Sequence, residues 1–342
     1  MRKKMILLVL TLFIGLSACG NDDKELPDEP GKEQGGNGGD EPENPDNPSG
    51  NEPVSWYVAT TGNDGNSGTL DSPLKSISKA LLRVNPGDTI FLREGAYHEF
   101  VTPTRSGEKG KLITLKSYPG ETAKIDGTGM TIKGWFSALV QLKSVQYMTF
   151  ENLHICNATN SDVNTDPEGV YINGVSRDIT FRNCKVYNIK STCLAGHNNG
   201  DWRSAHAFLV IGDDNGTPIR NLTIEKCEIY DMHTGTSETL TIAGNVDGFT
   251  IQDCEVHDVE NIGIIVAGGD NLNAGGNISV NYARNGVVRR NKVYRCSHQV
   301  SKDFWEGVYN NPAAYGAIGI YVCGGASTII EQNIVCLLYT SP

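Results

Sequence analysis

Six short segments of this chain say nearly the same thing: Thr149–Ile155, Thr180–Val186, Thr223–Ile229, Thr250–Val256, Val287–Val293 and Ile329–Val335. Each carries a β-branched or aromatic residue second, a Leu, Cys or Asn fifth and an apolar residue seventh. A unit that recurs in this way cannot bury its apolar face alone, so it reads as one rung of a stacked solenoid. Aligned rungs turn residues far apart in sequence into neighbours along a column. The second-position residues are separated by 31, 43, 27, 37 and 42 positions. That variation falls in the loops, where function sits when strands carry the scaffold.

A second strand ending at Gly precedes most rungs: 169–174 (GVYING), 207–212 (AFLVIG), 239–244 (TLTIAG) and 319–324 (GIYVCG), with 263–268 (GIIVAG) set before a longer insert. Each coil therefore runs strand, turn, second strand, a sharp turn at the Cys/Asn position, third short strand, then a loop. Cys184, Cys227 and Cys254 hold that fifth position in consecutive rungs, and Asn291 and Asn333 hold it later. The pattern predicts stacked buried thiols rather than disulfides, and no C-x-x-C pair or matching His points to a metal. Leu74, Ile77, Ala80, Leu81 and Val84 recur at helical spacing. They predict an N-terminal helix that caps the open end of the core. After Val335 no polar closing segment follows, so the expectation is a β-helix domain over 55–342, truncated in mid-solenoid.

The front of the chain is not part of that domain. Arg2, Lys3 and Lys4 precede an apolar run from Met5 to Leu16 and a small-residue cleavage site, the pattern of a signal peptide. Leu16-Ser17-Ala18-Cys19 resembles the lipobox of bacterial lipoproteins. That resemblance implies a signal over 1–19 and a lipid on Cys19 that ties the protein to the membrane. Gly20-Asn21-Asp22-Asp23 resembles the acidic stretch that sends such lipoproteins to the outer surface of the outer membrane. Residues 20–54 are Gly, Pro, Asn, Asp and Glu with little to bury, a disordered acidic tether. Of the formal charge of −11, the tether holds −9 and the signal region +3, which leaves −5 for the folded part. A mildly acidic domain of this kind argues against nucleic-acid binding, and a monomer is expected.

The segment from Tyr57 to Tyr97 reads Y-V-A-T-x-G-x-D, then G-T, S-P, S-I-x-x-A-L and P-G-D-T-I-x-L-R-x-G-x-Y. With I-T-L-K-S-Y-P-G-E at 113–121 and the rungs, it resembles right-handed parallel β-helix proteins of the pectate-lyase and chondroitinase-B type. The resemblance covers about residues 56–335. It implies an all-β, right-handed parallel β-helix that degrades an acidic polysaccharide outside the cell. It also implies a substrate groove along the first strand of successive coils.

Alignment of those strands on their terminal Gly gives a column just ahead of each: Glu168, His206, Glu238, then Ile262 and Ile318. Neighbouring strands lie about 4.8 Å apart, so acid, imidazole and acid would touch in sequence. The alternative is a structural polar ladder at a loop–strand junction. The adjacent column, Gly169, Ala207, Thr239, Gly263 and Gly319, is small and is expected to let a sugar approach the backbone.

β-Elimination from a uronate needs a base for the proton α to the carboxylate and a cation to stabilise the resulting carbanion. Candidate bases are His206, Lys302, Arg203 and Arg284, and Glu168 and Glu238 of the column are the further catalytic candidates. The resemblance implies Lys or Arg beside Ca2+, and Asp213, Asp214 and Asp270 on exit turns are hard oxygen donors for it. Asp-Asp-Asn-Gly is equally an ordinary turn sequence. Trp202, Trp305, Tyr309 and Tyr315 stand in loops entering the groove, where they would stack on sugars or pack the loops. Two other readings remain open: an inverting hydrolase that uses Glu168 and Glu238, and a surface protein that only binds glycan.

Overall fold

The computed structural model describes residues 52–162, 164–193, 204–235, 237–268, 279–297, 300 and 318–338. The strands among them form three sheets of nine, eight and six strands, with consecutive coils paired in parallel. One coil shows the plan: Pro167–Asn173 belongs to the six-stranded sheet, Arg177–Arg182 to the nine-stranded and Lys185–Ser191 to the eight-stranded. The chain then returns to the first sheet one coil further on, at His206–Gly212.

The rung motif builds the corner between the nine- and eight-stranded sheets. Its second-position residues form one inward column: Phe150 pairs with Phe181, Phe181 with Ile224, Ile224 with Ile251 and Ile251 with Val288. All of these are fully buried. Phe150 and Phe181 stack with ring centroids 4.6 Å apart. Such columns remove apolar area from water at about 25 cal/mol per Å2, the main favourable term in the fold.

The sharp turn lies one residue earlier than the Cys/Asn position. Asn152, Asn183, Lys226, Asp253, Arg290 and Gln332, the fourth residues of the six rungs, have φ between 53° and 56°. A left-handed residue turns the chain there, and the fifth residue faces inward. Cys184, Cys227 and Cys254 are buried free thiols. Where the column changes to Asn, the amide couples coils: Asn291 accepts from Cys254 N–H at 2.9 Å and donates to Ile251 C=O at 3.0 Å.

Outside, side chains of the nine-stranded sheet alternate in sign. Lys116, Glu151, Arg182 and Glu225 pair successively at 3.6, 3.0 and 2.5 Å. These partly exposed surface charges neutralise one another locally, and such pairs add only about 0–1 kcal/mol each.

At the front, the helix is shorter than its periodicity predicts. It spans Ile77–Leu81, with Ser76 as N-cap accepting from Lys79 N–H. Leu74 is instead bridged to Val58 in parallel fashion. The six-stranded sheet also begins one strand earlier than the Gly-terminated pattern, at Ser137–Lys143. Ser144, with φ 56°, takes the left-handed place that Gly174 holds one coil on.

The left-handed corner gives a direct test. Replacement of Asn183 by Val should lower unfolding free energy by about 1–2 kcal/mol, whereas Asn183→Gly should leave it nearly unchanged. Urea unfolding followed by circular dichroism reads the difference, and equal losses in the two variants would remove strain as the cause.

Candidate functional site

The six-stranded sheet carries the polar column on its outer face, at the N-terminal edge of its strands. Glu168 pairs with Ala138 on one side and His206 on the other. The register of Phe208 with Leu240 sets His206 beside Glu238, which in turn pairs with Ile262. Ile262 pairs with Ile318. Inward neighbours on these strands, such as Val170, Phe208 and Leu240, sit in the apolar core.

Contacts run unbroken through this column. Both oxygens of Glu168 lie within reach of His206 Nδ1, at 2.9 and 3.1 Å. His206 Nε2 lies 2.9 Å from Ser237 Oγ, and Ser237 Oγ donates to Glu238 Oε2 at 3.1 Å. Nε2 is also 3.9 Å from Glu238 Oε2. Exposure separates the members: the side chains of Glu168, His206 and Glu238 are 0%, 5% and 13% exposed.

Burial drives the electrostatics. It raises the carboxyl of Glu168, and attraction and hydrogen bonding to His206 pull the other way, which leaves it at about 7. Burial by itself would discharge the imidazole. Attraction and hydrogen bonding to Glu168, with Glu238 adding to both, outweigh that, and His206 is pushed up to about 10. Both groups are thus shifted upward, and His206 holds its proton at neutral pH against the Glu168 carboxyl. Asp166 is a further member that sequence reasoning passed over. It is buried, its carboxyl is raised to about 6 by burial, and His206 and a hydrogen bond from Ser204 hold it from rising further. Its Oδ1 has no partner among the described residues.

Ser237 also went unnoticed, because only the strand residues keep register through the repeat. A serine immediately ahead of Glu238 was the one available signal. Its place is fixed through its own carbonyl, which accepts from Thr234 Oγ1 at 3.0 Å and from Asn261 Nδ2 at 2.9 Å.

The small column corrects an expectation. Gly169, Ala207, Gly263 and Gly319 face the core and not a sugar. A methyl group on Gly169 would meet Val186 at 2.7 Å, and one on Gly319 would meet Val335 at 2.4 Å. Glu168 is turned outward and Gly169 inward. Val170 stays inward as well, as Ala207 and Phe208 both do one coil on, so the strict alternation breaks here. The small size of Gly169 makes room for the neighbouring sheet.

Other predicted residues fall elsewhere. Arg284 starts a strand of the nine-stranded sheet and pairs with Asp247 at 3.3 Å and Asn245 at 3.0 Å. Asn245 follows the strand that Glu238 begins, so Arg284 sits at the far edge, about 20 Å along the strand. Asp213 accepts from Asn173 Nδ2 and Gly174 N–H, at 3.1 and 2.8 Å. Asp214 accepts from Gly216 and Thr217 N–H, a local turn. Both carboxylates are engaged by amides. Among the described residues no three His, Cys, Asp or Glu side chains are grouped to hold a metal ion. Arg203, Lys302, Trp202, Trp305, Tyr309, Tyr315, Asp270 and Cys19 lie outside the described residues.

Comparison with known proteins gives the following. The model of the Pel9A-like, right-handed β-helix region matches residues 56–263. The YwoF protein of Bacillus subtilis (strain 168) is 31% identical over 280 residues, 82% of this chain and 55% of that protein. Pectate lyase PEL9 of Emericella nidulans is 30% identical over 142 residues, 37% of this chain and 33% of the lyase. Among solved structures, a GH136 lacto-N-biosidase from Eubacterium ramulus superposes with a TM-score of 0.60 at 19% identity, over 82% of this chain and 51% of that enzyme. At that identity the likeness is one of fold alone. The chain spans about half the length, or less, of these proteins.

The buried pair makes stability depend on pH with a definite sign. His206 rises from 6.5 to about 10 on folding. Its contribution is therefore full below pH 6.5 and lost as pH climbs through about 10. Removing His206 alone would leave Glu168 buried without its partner, so the pair is removed together. Wild type should lose stability between pH 6 and pH 10 more steeply than the double variant Glu168→Gln, His206→Gln. Urea midpoints at pH 6, 8 and 10 measure this, and equal slopes would mean that the folded imidazole is neutral.

Proposed function

Because the chain belongs to the Pel9A-like right-handed β-helix family, we propose that it degrades a uronate-containing polysaccharide outside the cell by β-elimination. The observation that carries this reading is the graded exposure of the polar column. One carboxylate, Glu238, reaches the surface, backed by a buried ion pair. In this reading Glu238 meets the substrate and takes the proton α to the uronate carboxylate. The carbanion electrons then expel the glycosidic oxygen from the β-carbon, that oxygen takes a proton from water, and a carbon–carbon double bond remains between the α- and β-carbons. Glu168 and His206 orient Glu238 and do not touch sugar.

The same grading disfavours the inverting hydrolase. That mechanism needs two carboxyls about 6.5–9.5 Å apart, both flanking the scissile bond. Glu168 is wholly buried and bonded to His206, so it cannot present itself to a glycosidic oxygen. The carbanion still requires positive charge near the uronate carboxylate. Arg203 and Lys302 keep that role within the proposal. Ca2+ is the other carrier of such charge, with Asp213 and Asp214, which accept N–H hydrogen bonds here, as its candidate ligands. The signal over 1–19, the lipid on Cys19 and the tether over 20–54 complete the reading: a monomeric lipoprotein on the outer surface of the outer membrane, where its polymer is found.

A screen of uronate polysaccharides, with and without a chelator, tests the reaction. The expected product carries an unsaturated uronate that absorbs in the ultraviolet. Glu238→Gln should lower kcat/KM by about 10²–10⁴-fold. New reducing ends on a neutral glycan, with no ultraviolet product on any uronate polymer, would replace the lyase by a hydrolase. Binding without turnover by the full-length protein would leave a glycan-binding protein, and full activity in chelator would remove Ca2+ from the scheme.

A further inference from the structure

Ser237 stands between the buried ion pair and the carboxylate at the surface. We propose that Ser237 is a positioning residue that links His206 to Glu238 through two directed hydrogen bonds and fixes the carboxylate with its other oxygen turned to substrate. The proposal deepens the lyase reading and rests on it for the identity of the base.

The direction of the chain follows from counting protons. The imidazolium carries a proton on each nitrogen. Nδ1–H is taken by Glu168, at 2.9 Å to the nearer oxygen. Nε2–H therefore donates to Ser237 Oγ at 2.9 Å, and that oxygen accepts. A hydroxyl has one proton to give, and the acceptor in reach is Glu238 Oε2 at 3.1 Å. Each bond polarises the next, so the carboxylate feels a hydroxyl sharpened by a positive charge. The main chain holds the link in place: Ser237 N–H donates to Thr234 C=O at 3.1 Å, and Thr234 Oγ1 and Asn261 Nδ2 grip its carbonyl.

The same three side chains, serine, imidazole and carboxylate, make a nucleophile elsewhere when a neutral imidazole takes the serine proton. Here both nitrogens are already protonated, and the serine is 7% exposed with its proton aimed at Glu238. The charged and titratable groups around the chain come from four elements. Asp166 and Glu168 lie below His206, and Glu238 lies above it. Tyr171 lies near Glu168, and Tyr321, one sheet edge further on, lies near Glu238. Glu260, also buried, accepts from Gly235 N–H at 2.9 Å in the turn before Ser237. Among these described groups none besides His206 is a cation.

The experiment compares Ser237→Ala and Ser237→Thr with wild type in the full chain. Loss of the hydroxyl should lower kcat about 10–100-fold with KM nearly unchanged. The Thr variant, which keeps the hydroxyl, should recover most of the loss. Carbon-13 spectra of the glutamate carboxyls at one fixed pH, with Glu238→Gln to assign the resonance, read the contact without any substrate: the Glu238 signal should move in Ser237→Ala and return in Ser237→Thr. That arm still decides the proposal if no uronate polymer is turned over, an outcome that would remove the lyase reading alone. A Glu238 resonance that does not move in a folded Ser237→Ala protein would overturn it. Covalent capture of Ser237 by a serine-directed fluorophosphonate would also overturn it, since that requires a neutral His206. Should the alanine variant not fold, Ser237→Cys, a weak hydrogen-bond donor of similar size, carries the comparison.

Discussion

Everything here depends on parallel stacking of coils at the spacing of β-strands, about 4.8 Å. Backbone hydrogen bonds fix the register, so each side chain stands directly over its counterpart in the coil below. Thus Phe181 lies on Phe150 although 31 residues separate them, and His206 lies on Glu168 across 38. A coil has no core of its own, and the last described coil shows what that means. Ile330 and Val335 are 44% and 43% exposed, whereas Phe181, Ile251, Val186 and Val256 at the same rung positions are sealed by the next coil. The solenoid is an addition of identical interfaces, and any column it holds is read in one dimension.

One dimension also explains why three polar side chains behave so differently. They are equivalent by position in the repeat, but their surroundings grade from the interior to the surface. Glu168 has lost water entirely, so its charge survives only against His206. His206 has lost nearly as much and keeps its charge because carboxylates stand on both sides. Glu238 retains contact with the surface and accepts a hydrogen bond from Ser237. The surface carboxylate and the buried ion pair behind it are thus separated by one rung, a distance set by the backbone and not by the side chains.

Much of this was legible in the sequence because β-strands have an exact period of two and repeats have an approximate one. Six rungs named the architecture, and strands aligned on terminal Gly placed Glu168, His206 and Glu238 in one column, as the register has them. What could not be read has two physical sources. Left-handed corners accept Asn, Asp, Lys, Arg and Gln alike when the neighbouring burial outweighs the strain, so no single residue type marks them. Ser237 and Asp166 lie in loops, where no ladder holds register and spacing carries no information. The small column of Gly169 and Gly319 was read on the wrong face, since smallness alone does not distinguish room for a ligand from room for a valine of the next sheet.

The later coils show that the fold does not need the polar column. Its next two positions are Ile262 and Ile318, paired in the same register on the same sheet. An apolar side chain is therefore acceptable there, and replacement of buried ionic groups by packed apolar ones is often neutral or stabilising by about 1–4 kcal/mol. Three carboxyls around one imidazole, two of them pushed upward by burial, are the opposite choice. The sheet holds them against their desolvation at one stretch of an otherwise apolar column. A structural ladder would gain nothing from that arrangement that isoleucine does not already give two coils on. Within the column the desolvation falls only on Glu168, His206 and Glu238, while Ile262 and Ile318 continue it without charge.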